Sequence, residues 1–292
     1  MATPHPVVSI GVPVYNTERF IAGALDSLLA QTFADFELII SDNASTDGTR
    51  EICESYAARD SRIRYIRQSE NIGLPRNWNA VVHAASGEFF KWASASDYCA
   101  PTMVERCVAA LRADDSAVLC YGKTQMMDES GKLLDVYARD MSFEESSPSE
   151  RFWRVSQNLS LNNAQCGVMR LEALRRTRLD REYPAGDMVL MAELALYGRF
   201  KMLPDVLLFR RQSPATLTSM LSPMDLQRVF NPQAMAPLKL LRTRWHMDNL
   251  FSIGRSPIPM IEKLRASRAA LRGMRWERAK IFREMLSLFS RK

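Results

Sequence analysis

The sequence lacks the residue patterns that mark several common classes of protein. Its five cysteines lie far apart with no C-x-x-C pair, so it favours neither a zinc site nor a disulfide framework. No amino-terminal segment has the basic-then-apolar order of a signal peptide, and no run approaches the roughly 18 apolar residues that a membrane span requires. We therefore expect a cytoplasmic protein, either free or peripheral on the inner face of the cell membrane.

Glycine is scarce where two large nucleotide-binding classes need it. The first apolar segment contains Gly11 alone, whereas a dinucleotide-binding dehydrogenase needs G-x-G-x-x-G there so that the backbone can approach a pyrophosphate. A sugar nucleotidyltransferase should likewise show a glycine-rich loop. The three histidines, His5, His83 and His246, are poorly placed for catalysis.

Charge is unevenly distributed along the chain. From residue 239 onward there are 14 Lys/Arg and 4 Asp/Glu, a surplus of +10, so the formal total of +6 leaves residues 1–238 at −4. The basic character therefore belongs to the tail.

Strand and helix signals alternate through the first 125 residues. Short apolar runs at 7–14, 36–40, 63–67, 88–93 and 118–123 predict strands, and segments with helical spacing separate them. This order predicts an α/β fold with a mainly parallel sheet covered by helices. Ligands bind such sheets beyond the carboxyl ends of the strands, which places the chemistry at 13–19, 41–48, 68–77 and 94–99.

Two motifs follow the first two predicted strands. The first strand ends in Pro13-Val-Tyr15-Asn16, and the second ends in Asp42-Asn-Ala-Ser-Thr-Asp47-Gly-Thr49. Together they resemble the family 2 glycosyltransferases, and the resemblance extends through Asn71-Ile-Gly73 and Asp97 to about residue 213. It implies a GT-A fold and transfer of a sugar from a nucleoside-diphosphate donor with inversion at the anomeric carbon.

The resemblance implies roles for residues of the donor site. Pro13, Tyr15 and Asp42 are expected to contact the nucleoside, since a carboxylate accepts hydrogen bonds from a base and a tyrosine ring packs on it. Asp47 is expected to cap a turn instead. Trp78, Trp92 and Trp153 are candidates for stacking on sugars, with burial in the core as the alternative.

The departing diphosphate needs positive charge beside it. Metal-dependent relatives carry an acidic D-x-D cluster after the strand at 88–93, but this chain has Ser94-Ala-Ser96-Asp97 and keeps only the last carboxylate. Ser213 stands where a metal-binding histidine is expected. We predict that Asp97 binds Mn²⁺ or Mg²⁺ together with the donor phosphates; neutralisation by Arg210 and Arg211 is the alternative.

The resemblance also implies a general base at the start of a helix in the second half of the domain. Asp187 fits that position, with Glu193 as the second candidate and helix capping as the alternative. Asn162 and Asn163 are candidates for the acceptor side.

The expected organisation is a GT-A domain over 1–213, with a nucleotide-binding half at 1–125 and an acceptor half at 126–213, and a basic helical extension over 214–292. From Ile261, apolar residues recur at Leu264, Leu271, Met274, Ile281, Met285 and Leu288. This stripe predicts either attachment to an anionic membrane surface or packing on the domain or on a second subunit of a homodimer. No nucleic-acid-binding module is recognisable, so a nucleic-acid partner is not expected.

The sequence thus predicts a UDP-sugar-dependent hexosyltransferase that acts on a glycan or lipid-linked acceptor in surface polysaccharide assembly. The alternative is a GT-A-like protein that binds nucleotides through a degenerate metal site without catalysing transfer.

Overall fold

One mixed sheet carries helices on both faces. The structure, a computed structural model, describes residues 5–212, 221–237 and 239–286. The strands are β1 (Val8–Val14), β2 (Phe36–Asp42), β3 (Ile63–Arg67), β4 (Phe89–Trp92), β5 (Tyr98–Cys99), β6 (Ala117–Met127), β7 (Leu133–Val136), β8 (Val168–Arg170) and β9 (Arg199–Arg211). The helices are α1 (Ile21–Leu29), α2 (Thr49–Arg59), α3 (Leu74–Ala84), α4 (Met103–Arg112), α5 (Pro148–Asn158), α6 (Leu171–Arg175), α7 (Gly186–Ala195), α8 (Pro223–Phe230), α9 (Leu241–Arg255), α10 (Met260–Trp276) and α11 (Arg278–Leu286).

The strand order is β3-β2-β1-β4-β8-β6-β9-β5, with β7 paired to β6. The first four strands, β1 to β4, are parallel to one another. Antiparallel pairs enter with β8, β7 and β5, while the long β6 and β9 strands run parallel. The α/β fold predicted from the sequence is confirmed, and its parallel part carries the predicted site.

Alternate residues of the strands pack into two hydrophobic cores, one on each face of the sheet. Ile39, Phe90 and Met169 pack on one face with α3, α5 and α7. Their chain neighbours Ile40, Phe89 and Val168 pack on the other face with α1, α2 and α4. Because successive side chains of a strand point to opposite faces, a strand that is covered on both sides is buried at every position and is mostly apolar. This explains why β1 is buried at all seven positions.

The carboxyl-terminal helices pack on the domain through a different face of α10 from the predicted one. Glu262, Ala266 and Ala270 are buried, and the small alanines allow close helix contact. Leu264 and Leu271 of the predicted stripe remain half-exposed. The stripe is also divided between two helices, and its last member, Leu288, lies outside the described residues.

Candidate functional site

A cavity of about 510 Å³ lies at the carboxyl ends of β1, β2 and β4. Pro13 and Tyr15 from the end of β1 line it, and the Tyr15 side chain is about half-exposed. Trp78 of α3 also lines the cavity. Two predicted nucleoside contacts therefore meet in one open space, and aromatic rings in its wall suit it to a planar base.

A buried amide holds the strand ends that form this cavity. Asn77 of α3 donates to the carbonyl oxygens of Ser41, at 2.9 Å, and Val14, at 3.3 Å. Its own oxygen accepts a hydrogen bond from the Ser41 hydroxyl at 2.6 Å. Because each of these polar groups is buried, losing one partner would leave the others unpaired, so the cavity wall is rigidly specified.

The segment 71–73 shapes the adjoining wall. Asn43 donates to the Asn71 side chain at 2.8 Å and accepts from the Ile72 N–H at 2.8 Å. Gly73 has a φ of +90°, and a Cβ there would lie 2.5 Å from the carbonyl oxygen of Phe230 at the end of α8. Only glycine permits this approach, which brings α8 against the cavity.

Helix α8 was not assigned to the site from the sequence. Its residues Asp225, Arg228 and Val229 line the cavity, and Arg228 forms an exposed ion pair with Asp225 at 3.6 Å. The extension beginning at 214 therefore contributes directly to the candidate donor site. No motif marks these residues, so only tertiary packing reveals them.

Asp42 lies beneath the cavity and does not line it. The carboxylate is fully buried and accepts hydrogen bonds from the Tyr65 hydroxyl, at 2.6 Å, Arg67, at 2.5 Å, and the Ser45 N–H, at 2.8 Å. Burial by itself raises the pKa of Asp42, but these hydrogen bonds and the Arg67 charge outweigh it and hold the pKa below its ordinary value. In this arrangement Asp42 positions Tyr65 and Arg67, and a direct contact with a base stays a prediction.

Asp47 caps the turn before α2, and this prediction is confirmed. Its carboxylate accepts hydrogen bonds from the Thr49 N–H and the Glu18 N–H, both at 3.1 Å. These contacts join the loops that follow β1 and β2.

Asp97 lies behind the two serines of the degenerate motif. Ser94 and Ser96 line the cavity, whereas the buried Asp97 accepts hydrogen bonds from the Arg211 N–H, at 3.0 Å, and the Ser96 hydroxyl, at 3.3 Å. Burial raises the pKa of Asp97. Within the described ranges, no three His, Cys, Asp or Glu residues group together as metal ligands. Ser213 is outside those ranges.

The two arginines of β9 differ in how many donors they have left. Arg211 donates to the carbonyl oxygens of Ser96, Asp128 and Glu129 and to the Tyr98 hydroxyl. Four of its five N–H groups are thus engaged, and we interpret Arg211 as a structural residue. Arg210 donates through one nitrogen to Leu161 and Asn163, so it is the better of the two phosphate candidates.

Asp187 and Asn162, both predicted for the acceptor side, are brought together. The Asn162 amide donates to the partly exposed Asp187 carboxylate at 2.7 Å. Glu193, the second candidate, is fully buried in ion pairs with Arg181 and Arg255, so its carboxylate cannot reach an acceptor. Asp180, which no sequence motif marks, lies near Asp187; burial and the Asp187 charge raise its pKa to about 8.

A family model, Glycosyl transferase family 2, matches residues 9–178, which is more than half of the chain. The chain belongs to this family. The fold and the resemblance expected from the two strand-end motifs are thereby confirmed. Asp187, Arg210 and Arg211 lie beyond the matched residues, so the family match by itself gives them no role.

Relatives of the family 2 chain include two bacterial proteins, one named as a glycosyltransferase and one as a polysaccharide synthase. The uncharacterized glycosyltransferase EpsJ of Bacillus subtilis is 44% identical over 101 residues, 35% of this chain and 29% of its own. The chondroitin synthase of Escherichia coli is 32% identical over 141 residues, 46% of this chain and 20% of its own. The match thus spans less than a third of either curated relative.

A solved structure supports the fold along nearly the whole chain. Residues 1–349 of S. aureus TarS align with a TM-score of 0.65 and 20% identity, over 93% of this chain and 73% of that one. The same fragment in complex with UDP-GlcNAc aligns with a TM-score of 0.56 and 20% identity, over 90% and 79%.

Proposed function

We propose that the protein transfers a sugar from a UDP-sugar to a glycan or lipid-linked acceptor in surface polysaccharide assembly, with inversion at the anomeric carbon. The observation that carries this proposal is the 510 Å³ cavity, whose lining combines Tyr15 and Trp78 with the ends of three parallel strands. The UDP-GlcNAc complex of TarS supports a UDP-linked donor. The name of the chondroitin synthase supports a polysaccharide product.

The proposed reaction is a single displacement. The acceptor hydroxyl oxygen forms a bond to the anomeric carbon while the bond from that carbon to the β-phosphate oxygen breaks, and UDP leaves with the bonding electrons. The acceptor proton passes to the Asp187 carboxylate. Asn162 holds one oxygen of that carboxylate, and Asp187 has no other partner among the described residues.

The described residues do not form a complete metal site, since Asp97 is the one carboxylate at the motif and it already accepts two hydrogen bonds. Mn²⁺ or Mg²⁺ would need the donor phosphates for most of its ligands. We therefore assign no step to an ion. Arg210 remains the protein group proposed to offset the charge of the leaving diphosphate.

A second candidate function is nucleotide binding without transfer. Ser94 and Ser96 face the cavity where metal-dependent relatives are expected to carry acidic residues. This observation is compatible with a protein that retains the donor and does not turn it over.

A thermal-shift panel of nucleotide sugars, with and without Mn²⁺, followed by an assay of UDP release, separates the two. A ligand that binds only the folded state raises its stability. We expect a UDP-sugar to raise the melting temperature and to be turned over when an acceptor is supplied. Binding of UDP with no turnover under any metal or acceptor condition would support the second candidate. No stabilisation by any nucleotide would refute both.

The division into domains at 213 and 214 also stays a proposal, although α8, which follows that boundary, lines the donor cavity.

In the described part of the chain no helix is long and apolar enough to cross a membrane. We propose a cytoplasmic protein whose exposed apolar residues on α10 and α11, with the surrounding basic residues, rest on anionic lipid. Burial of the same residues in a homodimer is the alternative, and sedimentation with and without anionic vesicles distinguishes the two.

A further inference from the structure

A second cavity, of about 490 Å³, lies among α5, α9, α10 and the loop before α7. It is separate in lining from the donor cavity, since the two share no residue. Ala185 lines it, two residues before the proposed base Asp187. The cavity therefore reaches the amino-terminal end of α7, which carries the proposed base.

Indole rings form much of its wall. Trp245 and Trp276 line the cavity, and Trp276 is 63% exposed although it sits on a packed helix. Trp153 supports Trp276, with the ring centroids 5.9 Å apart. Three of the five tryptophans thus gather at one place outside the donor site. Exposed flat apolar faces of this kind pack on the C–H face of a sugar ring.

The charged groups at the cavity offset one another. Arg242 donates to Glu277 at 2.5 Å, and Lys280 lies 3.3 Å from the same carboxylate. Glu284 accepts a hydrogen bond from the Arg242 N–H. Burial lowers the pKa of His246, whose Nε2 lies 3.3 Å from the Glu277 carboxylate. Arg242 and Glu277 are the lining residues of opposite charge and they are paired with each other, so the lining offers no net charge to a phosphate and suits an uncharged polar ligand.

The inner end of the cavity has an unused hydrogen-bond acceptor and unfilled space. Asn249 is 2% exposed, lines a narrow recess of about 10 Å³ continuous with the cavity wall, and its Oδ1 has no partner among the described residues. A recess of that size holds about one water molecule. Gly273 of α10 lines both spaces, and a Cβ there would meet its nearest neighbour, His246, at an ordinary 3.7 Å.

We propose that this cavity binds an uncharged sugar unit of the acceptor glycan, stacked on Trp276 and Trp245, with a hydroxyl linked to Asn249 through one water in the recess. The proposal rests on the proposed glycosyl transfer, because only a glycan acceptor gives a sugar site beside Asp187 a purpose. Gly273 keeps the cavity open at the expense of helix stability, since glycine is a poor helix former.

Calorimetric titration of the whole protein with uncharged disaccharides (lactose, maltose and diacetylchitobiose), with inorganic phosphate as the comparison, tests the proposal. We expect at least one disaccharide to bind and phosphate not to displace it. Trp276→Ala should weaken that binding about tenfold or more, and Trp276→Phe should restore most of it, because a phenyl ring still offers a stacking face.

Gly273→Ala provides an independent variant whose folding is secure. It should raise the melting temperature by a few degrees through helix propensity and weaken disaccharide binding by filling the cavity wall. The matched control is Gly254→Ala on α9, where a Cβ meets nothing within 4 Å, and it should leave disaccharide binding unchanged.

The proposal is wrong if no disaccharide binds the wild-type protein, if phosphate binds in its place, or if Trp276→Ala and Gly273→Ala both bind disaccharide as the wild type does. Titration of each variant with UDP tests the donor site separately, so failure of the sugar cavity can be distinguished from failure of the proposed function. Disaccharide binding that is lost in both variants, in a protein that binds no UDP-sugar, would uphold the cavity and refute the transferase.

Discussion

Asp187→Asn removes the proposed proton acceptor while keeping the size of the side chain. Asp187 is partly exposed in the first turn of α7, and among the described residues its carboxylate accepts one hydrogen bond, from Asn162 at 2.7 Å. An asparagine can still offer its oxygen to Asn162, so the local geometry should survive. We expect the free energy of unfolding to change by less than about 1 kcal/mol.

The effect on catalysis should be much larger than the effect on stability. A positioned general base contributes about 10²–10⁴-fold to a rate. Water can reach the partly exposed Asp187 and substitute in part for the base, so we expect kcat to fall by about 10²–10³-fold, equivalent to about 2.7–4 kcal/mol in the activation barrier.

UDP release measured at saturating donor and acceptor gives kcat, and UDP-sugar titration gives donor affinity. Affinity should be unchanged because Asp187 does not line the donor cavity. Asp135→Asn on the exposed strand β7 is the matched control and should behave as the wild type. The assignment fails if Asp187→Asn retains more than about a tenth of kcat, or if donor affinity falls in the same proportion as kcat.

Three further changes test the surroundings of the site. The raised pKa of Asp180, about 8 against an ordinary 3.8, means that the folded protein holds a proton there that the unfolded chain releases. The free energy of unfolding should therefore fall as pH rises from 3.8 to about 8, by up to about 1.4 kcal/mol per pH unit. In urea titrations, the unfolding free energy of Asp180→Asn should depend less on pH than that of the wild type. The same pH dependence in both proteins would rule out this bound proton. Glu262→Gln should lower the free energy of unfolding in urea by about 2 kcal/mol near neutral pH, since the Ser147 hydroxyl and other donors hold the Glu262 pKa at about 2. That stabilisation is present above pH 4.5 and disappears as pH falls toward 2. Equal stability of the two proteins at neutral pH would contradict this prediction. Gly73→Ala should strain the backbone and displace the end of α8, lowering both the melting temperature and UDP affinity; a variant with unchanged UDP affinity would show that α8 does not complete the donor site.

The local sequence was enough to place most strands and helices of the first 125 residues within a few positions. Buried strands such as β1 are mostly apolar, and turn residues such as those around Asp47 follow them, so the information is contained within each segment. The short strands β5 and β7 were missed. β7 has four residues and all of them are exposed, so its three apolar side chains form no buried face, and β5 has only two residues; both strands are too short to show a periodicity.

The meeting of Tyr15 and Ser96 in one cavity could likewise be anticipated, because parallel strands bring their carboxyl ends to one edge. The residue that neutralises the Asp42 carboxylate could not be anticipated. Arg67 is its register partner on β3 and lies 25 residues away in the chain, and only strand pairing decides whether such a carboxylate faces a ligand or an arginine.

By itself, the sequence determined the periodicities, the turn chemistry and the strand-end motifs, since these depend on residues close together in the chain. Tertiary structure alone decided that α8 closes the donor cavity, that α10 packs through Glu262, Ala266 and Ala270, and that three tryptophans meet beside α7. Each of these outcomes depends on the fit between surfaces distant in the chain, and hydrophobic burial, being non-directional, leaves that choice to the packing of the whole molecule.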